Sequence, residues 1–157
     1  MTPTVVPAPP RVRRRSAGAV LAIVLLAVAG AGCMPGDAKT FLDRTNALRS
    51  SVGVAPLQQN DVLTRKAEEW AQHMAATGQL AHSQLSDGVE SLNWTALGEN
   101  VAYSSPSGDT LAAIHNLFVG SAGHRANLVN SGFTHMGVGV ATDSRGRVWV
   151  AEVFARL

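Results

Sequence analysis

The 157-residue chain has a single cysteine, Cys33, so no internal disulfide braces it. It must hold together by packing. With 46% hydrophobic and 15% charged residues it suits one globular domain with a modest core. A membrane-spanning helix needs ~20 apolar residues, and the uncharged run from Ala17 to Ala31 has only 15. There is no internal repeat, and no low-complexity tract beyond a proline-rich beginning. Neither GxSxG nor HExxH occurs, which excludes two local signatures of serine and zinc hydrolases.

What stands at the beginning is an export pattern. Arg11, Arg13, Arg14 and Arg15 precede the Ala17 to Ala31 run, which ends in small residues: a positive n-region, an apolar h-region and a cleavage zone. The charge balance changes once this segment is set aside. Thirteen basic residues less those four leaves 9 against 11 acidic, a formal net charge of −2. No basic surface for nucleic acid or anionic lipid is then expected. The stretch Ala29-Gly30-Ala31-Gly32-Cys33 resembles a bacterial lipobox, in which the thiol is acylated and becomes the mature N-terminus. Gly30 departs from that pattern, which usually has leucine or another larger apolar residue there. Ordinary cleavage after Ala29 or Ala31 is the alternative. A lone cysteine without a partner favours lipidation at Cys33, and with it a membrane anchor. The expected organisation is a signal peptide over 1–32, a short linker over 33–36 and one domain over 37–157.

Within that domain the periodicity predicts a helix from Asp37 to Val52 with Phe41, Thr45, Leu48 and Val52 on one face, stopped by Gly53. Asn60 is placed to cap a second helix carrying Leu63, Ala67, Trp70 and Met74, and Gly78 ends it. A third helix starts near Ser107 or Asp109 and runs to about Val119. Ser121 is placed to cap a short fourth. A strand is expected at Asn100 to Tyr103, and a hairpin from Met136 to Ala155 turns at Asp143 to Gly146. Helices followed by antiparallel strands indicate an α+β domain.

The chemistry lies in three stretches: Leu80-Ala81-His82-Ser83, Gly98-Glu99-Asn100 and Gly123-His124-Arg125. Each polar residue is expected at the end of an element, where scaffolds present functional groups. Two histidines and a carboxylate suit a divalent metal or acid–base work. Since 42 residues separate His82 from His124, spacing alone does not bring them together. Gly123 is expected to allow a tight turn that aims His124 outward from a helix start, where the dipole favours a neutral imidazole. Other polar residues receive plainer readings. His73 beside Lys66 belongs on the solvated side of the second helix, His115 at the edge of a buried face, and Glu152 on the surface. Trp70 belongs to the core and Trp94 to an irregular segment; the strand phase leaves His135 undecided.

In order, Asn46-Ala47-Leu48-Arg49, Leu57, Trp70-Ala71, LAHS, GEN, SAGHRANL and Met136-Gly137-Val138-Gly139-Val140 resemble the CAP (SCP) domain family. That family comprises cysteine-rich secretory, antigen 5 and pathogenesis-related proteins, and GHRAN without disulfides is similar to its bacterial branch. The resemblance covers about Asp37 to Leu157. It implies a three-layer α-β-α sandwich with a central antiparallel sheet and a cleft where His82, Glu99 and His124 converge. It also implies zinc or another divalent ion on His82 and His124. A second glutamate that often completes the set corresponds here to Ser121. Two functions follow as expectations. The favoured one is an exported or cell-surface binding module for a lipid, peptide or glycan. The alternative is a metal-dependent or Glu-His hydrolase of peptides or envelope polymers, with His82, His124 and Glu99 catalytic.

Overall fold

The computed structural model describes residues 4–7 and 36–157. Cys33 and the expected signal segment 1–32 lie outside the described residues, apart from a short strand, β1, at Thr4–Pro7. The order that follows is α1 (Gly36–Ser51), β2 (Gln58–Gln59), α2 (Asp61–Thr77), β3 (Ala96–Ser104), α3 (Thr110–Gly120), α4 (Ala122–Leu128), β4 (His135–Thr142) and β5 (Val148–Arg156). Among the described residues no helix is long and apolar enough to cross a membrane.

Local chemistry sets the boundaries of α2. Asn60, in an extended conformation, accepts hydrogen bonds from the Val62 and Leu63 amides, and Gly78 closes the helix at φ 67°. Asp109 caps α3 through the Ala112 amide. Ser121 precedes α4 without a side-chain capping bond. Gly123 lies inside α4 rather than in a left-handed turn, so the tight-turn role expected for it is not needed.

The sheet order is β1-β3-β5-β4-β2, with β3, β5 and β4 antiparallel and β2 parallel to β4. The central strand β5 is buried on both faces. Trp149, Ala151 and Val153 pack with Leu63, Ala67, Ala71 and Met74 of α2. Val150 and Phe154 pack with Phe41 of α1, Ile114 and Phe118 of α3, and Leu128 of α4. Hence α2 covers one face and α1, α3 and α4 the other, an α+β sandwich in three layers. Among the described residues both clusters draw only on Ala38 to Ala155, so the chain from Gly36 onward supplies the described core.

The glycines of β4 set the distance between α2 and the sheet. A Cβ on Gly137 would lie 2.1 Å from the Leu63 carbonyl carbon, and one on Gly139 2.1 Å from the Ala67 carbonyl oxygen. The α2 backbone thus rests directly on β4.

Two expectations about burial are corrected. The inner stripe of α1 is Ala38, Phe41, Thr45 and Arg49; Val52 is 43% exposed. Lys66, expected on the solvated side of α2, is buried, because its ammonium donates to the Gln84 and Asp87 carbonyls at 2.8 and 2.9 Å.

Candidate functional site

Glu99 lies in mid-strand, not at an element end. β3 begins at Ala96, four residues earlier than the strand expected from sequence. Leu97 and Val101 belong to the α2-side cluster, and Glu99 shares their strand phase. There the loop following α2 meets it. The His82 Nδ1–H donates to Glu99 Oε1 at 2.8 Å, the Ser83 amide donates to the same oxygen at 2.9 Å, and the Ser83 hydroxyl donates to Oε2 at 2.6 Å. Glu99 is fully buried and the His82 side chain 20% exposed. Ser83 is therefore a clamp on the carboxylate. The same loop is tied to α2 by Trp70 Nε1, which donates to the Ala81 carbonyl at 2.8 Å, and by Lys66. Trp70 is half-buried and stacks on the exposed His73 at 4.7 Å.

His124 arrives from the opposite layer. Its ring packs edge-on against Phe118 at 5.2 Å, and its carbonyl accepts from Asn100 Nδ2 at 3.2 Å. Burial, reinforced by the nearby His82, holds its imidazolium below the usual histidine range. The ring is thus neutral at neutral pH, with a lone pair available. The Nε2 atoms of His82 and His124 are both buried without a hydrogen-bond partner. Two buried, unpartnered imidazole nitrogens, one with its opposite nitrogen held by a carboxylate, have the donor chemistry of a metal site. Among the described residues no group of three or more His, Cys, Asp or Glu is arranged to hold an ion. Any ion here would have two protein nitrogens and complete its shell with water or ligand.

Beneath this pair runs a buried polar network that the sequence motifs share. Asn127 Nδ2 donates to the Glu99 carbonyl at 3.1 Å and to Asn100 Oδ1 at 3.0 Å, and Asn100 Nδ2 donates to Glu152 Oε2 at 3.0 Å. GEN and GHRAN are therefore bonded to each other, which fixes the position of α4 against β3. Gly98 is required for a different reason, since a Cβ there would lie 2.7 Å from the Phe133 ring.

Glu152 corrects the surface reading outright. It is fully buried in β5, and burial pushes its carboxyl up to about 8 despite the bond from Asn100. Between its ordinary value of 4.5 and about 8, the native chain keeps a proton that the unfolded chain has lost. Unfolding then releases a proton from this group, so the contribution of Glu152 to stability is expected to fall as pH rises through that window and to level off above it. Urea unfolding at about pH 5 and about pH 8 measures the slope. Glu152→Gln, which cannot ionise, should flatten it; an unchanged slope would mean that Glu152 is already ionised in the native state.

An apolar pocket of 290 Å³ adjoins His124, lined by Leu80, Val101, Ala102, Tyr103, Leu117, Phe118 and Ser121. Ser121, at the place of the second glutamate, contributes a small wall rather than a charge. The other histidines stand apart from the pair. His115 is buried against Phe41, and His135 Nδ1 lies 2.8 Å from the Thr134 hydroxyl. Trp94 is half-buried against the α2-side cluster.

The sandwich and the residue pattern define a CAP domain. The family model for the cysteine-rich secretory protein family matches residues 42–153, and the chain belongs to that family. It is 26% identical over 125 residues to the uncharacterised protein YkwD of Bacillus subtilis, covering 75% of this chain and 47% of that protein. It is similar in structure to an extracellular SCP-domain protein of Bacillus anthracis, with TM-score 0.66 and 26% identity, over 78% of this chain and 41% of the other. An outer surface protein of Borrelia burgdorferi shares the fold, with TM-score 0.66 and 17% identity, over 76% of this chain and 92% of that one. The chain spans less than half the length of the two Bacillus proteins.

Proposed function

We propose that this CAP domain is an exported binding module, anchored at the cell surface through an acylated Cys33. Its cleft holds a divalent ion such as zinc on His82 and His124 beside a lipid, peptide or glycan ligand. The observation that carries this reading is the pair of buried Nε2 atoms without partners. A bound ion would supply Lewis acidity and an attachment point for a ligand oxygen. The chain's own residues orient the donors: Glu99 fixes the His82 tautomer, and Phe118 and Asn100 place His124.

The engagement of Glu99 favours binding over hydrolysis. Its two oxygens already accept three hydrogen bonds and are closed to solvent, a poor position for a general base. Calorimetric titration with zinc is expected to show one site of moderate affinity, lost in His82→Ala and in His124→Ala. Glu99→Gln should fold but weaken zinc by roughly 10–100-fold, the usual effect of removing such a supporting carboxylate. Unchanged binding in both histidine variants would reject the site. Chelator-sensitive hydrolysis of peptides or envelope polymers, abolished by Glu99→Gln at saturating zinc, would favour the hydrolase instead. Mass spectrometry of protein from the native host tests the anchor, and an unmodified start at Gly30 or Gly32 would reject it.

A further inference from the structure

We infer that the outer edge of β3 is a strand-addition site for an extended polypeptide, which lays one apolar side chain into the pocket beside His124. This deepens the binding reading by naming the ligand class, and it rests on that reading only for the location of the cleft.

The two edges of β3 are used differently. β5 pairs with it along its whole length, Ala96 to Ser104, whereas among the described residues β1 covers Ala96 to Glu99 on the other side, antiparallel, with Thr4 opposite Glu99 and Pro7 opposite Ala96. A segment of this chain therefore already shows that the edge accepts a strand. Cleavage at Cys33 would remove that segment and leave the edge open to another chain. Continued in the same register, the residue two places before the one opposite Glu99 lies opposite Val101 and shares its face. Val101 lines the apolar pocket, whose wall includes Tyr103 and Leu117, large apolar side chains left 39% and 55% exposed.

The occupant follows from these features together. A strand edge offers alternating N–H and C=O groups, which only another backbone answers in register. The pocket, at 290 Å³ and directly beside the strand edge, has room for one apolar side chain of such a strand.

The probe is a fluorescein-labelled peptide with the sequence of residues 1–10, titrated by anisotropy against the chain from Cys33 onward and against the full chain. One-to-one binding is expected to the shorter chain. Binding to the full chain should be at least about tenfold weaker, because β1 competes in cis at roughly millimolar effective concentration. N-methylating one alternate set of probe amides should abolish binding while the other set is tolerated, since alternate N–H groups face the ladder. Replacing probe residue Thr2→Phe should tighten binding by about tenfold or more by filling the pocket. Leu117→Asp in the protein, at an exposed position, should cancel that gain without affecting the parent probe. Peptide binding should be the same with zinc and with chelator present, so failure of the metal site and failure of the strand site are separable. Equal sensitivity to both N-methylated sets, equal binding to both chains, or no binding to a shorter chain that remains folded by circular dichroism would overturn the inference.

Discussion

Gly137→Ala is expected to lower the melting temperature by about 10 °C or more. The added methyl would sit 2.1 Å from the Leu63 carbonyl carbon and 2.2 Å from the Thr64 amide nitrogen. These are backbone atoms in the first turn of α2, with no side chain to swing aside. Either α2 lifts from β4, opening the cluster of Leu63, Ala67, Ala71 and Met74, or β4 bends. Overpacking of this kind costs roughly 3 kcal/mol, a large share of the ~5–15 kcal/mol that holds a domain. For a domain of this size that corresponds to about 3–5 °C per kcal/mol. Gly120→Ala is the matched control, because a Cβ there meets nothing within 4 Å. It should be neutral or slightly stabilising. Thermal unfolding of the two variants side by side decides the matter, and similar melting temperatures would show that α2 is not held by this contact.

Arg49→Met is expected to cost about 3–5 kcal/mol, comparable to breaking a buried charged pair. The Arg49 side chain is 1% exposed, and burial works against its charge. Its guanidinium is retained because it answers four backbone carbonyls: Nε donates to Ala55 at 2.7 Å, Nη1 to Leu128 at 2.9 Å and Asn130 at 3.0 Å, and Nη2 to Phe133 at 3.2 Å. It binds the loop before β2 to the segment that joins α4 to β4. Methionine fills much of the volume but leaves these carbonyls unpaired in a dry place. Arg49→Lys should rescue little, since one ammonium cannot reach four carbonyls set out for a planar fork. Denaturant unfolding of the three proteins reads the cost. Zinc affinity at saturating folded protein should stay within about twofold, because the guanidinium touches neither His82 nor His124; a lysine variant as stable as the parent would reduce the fork to a single contact.

The residues of the candidate site stand out in the sequence, but their bonding does not. LAHS, GEN and GHR marked His82, Glu99 and His124 by order and neighbourhood. Glu99 read as the end of an element because the strand was expected to start at Asn100, whereas β3 runs through it from Ala96, and Gly98 lets the Phe133 ring approach that strand. Glu152 read as a surface carboxylate because strand phase assigns alternate residues to solvent. In a central strand covered on both faces, that alternation carries no such meaning. The partner that gives Glu152 a place, Asn100, is 52 residues away.

Sequence alone determined what depends on neighbours along the chain. The Asn60 cap and Gly78 stop of α2 and the hairpin turn before β5 all follow from local hydrogen bonds and backbone freedom. Only the tertiary structure decided what depends on chain segments meeting. Lys66 and Arg49, both charged and both on helices, are buried because carbonyls from distant loops come to them. His82 and His124 become a pair because Asn127 locks α4 against β3 while Ser83 and Glu99 lock the loop to the same strand from its other face. Local propensity is written in spacing of a few residues, whereas burial and pairing belong to contacts across tens of residues, where any one residue type has many possible partners.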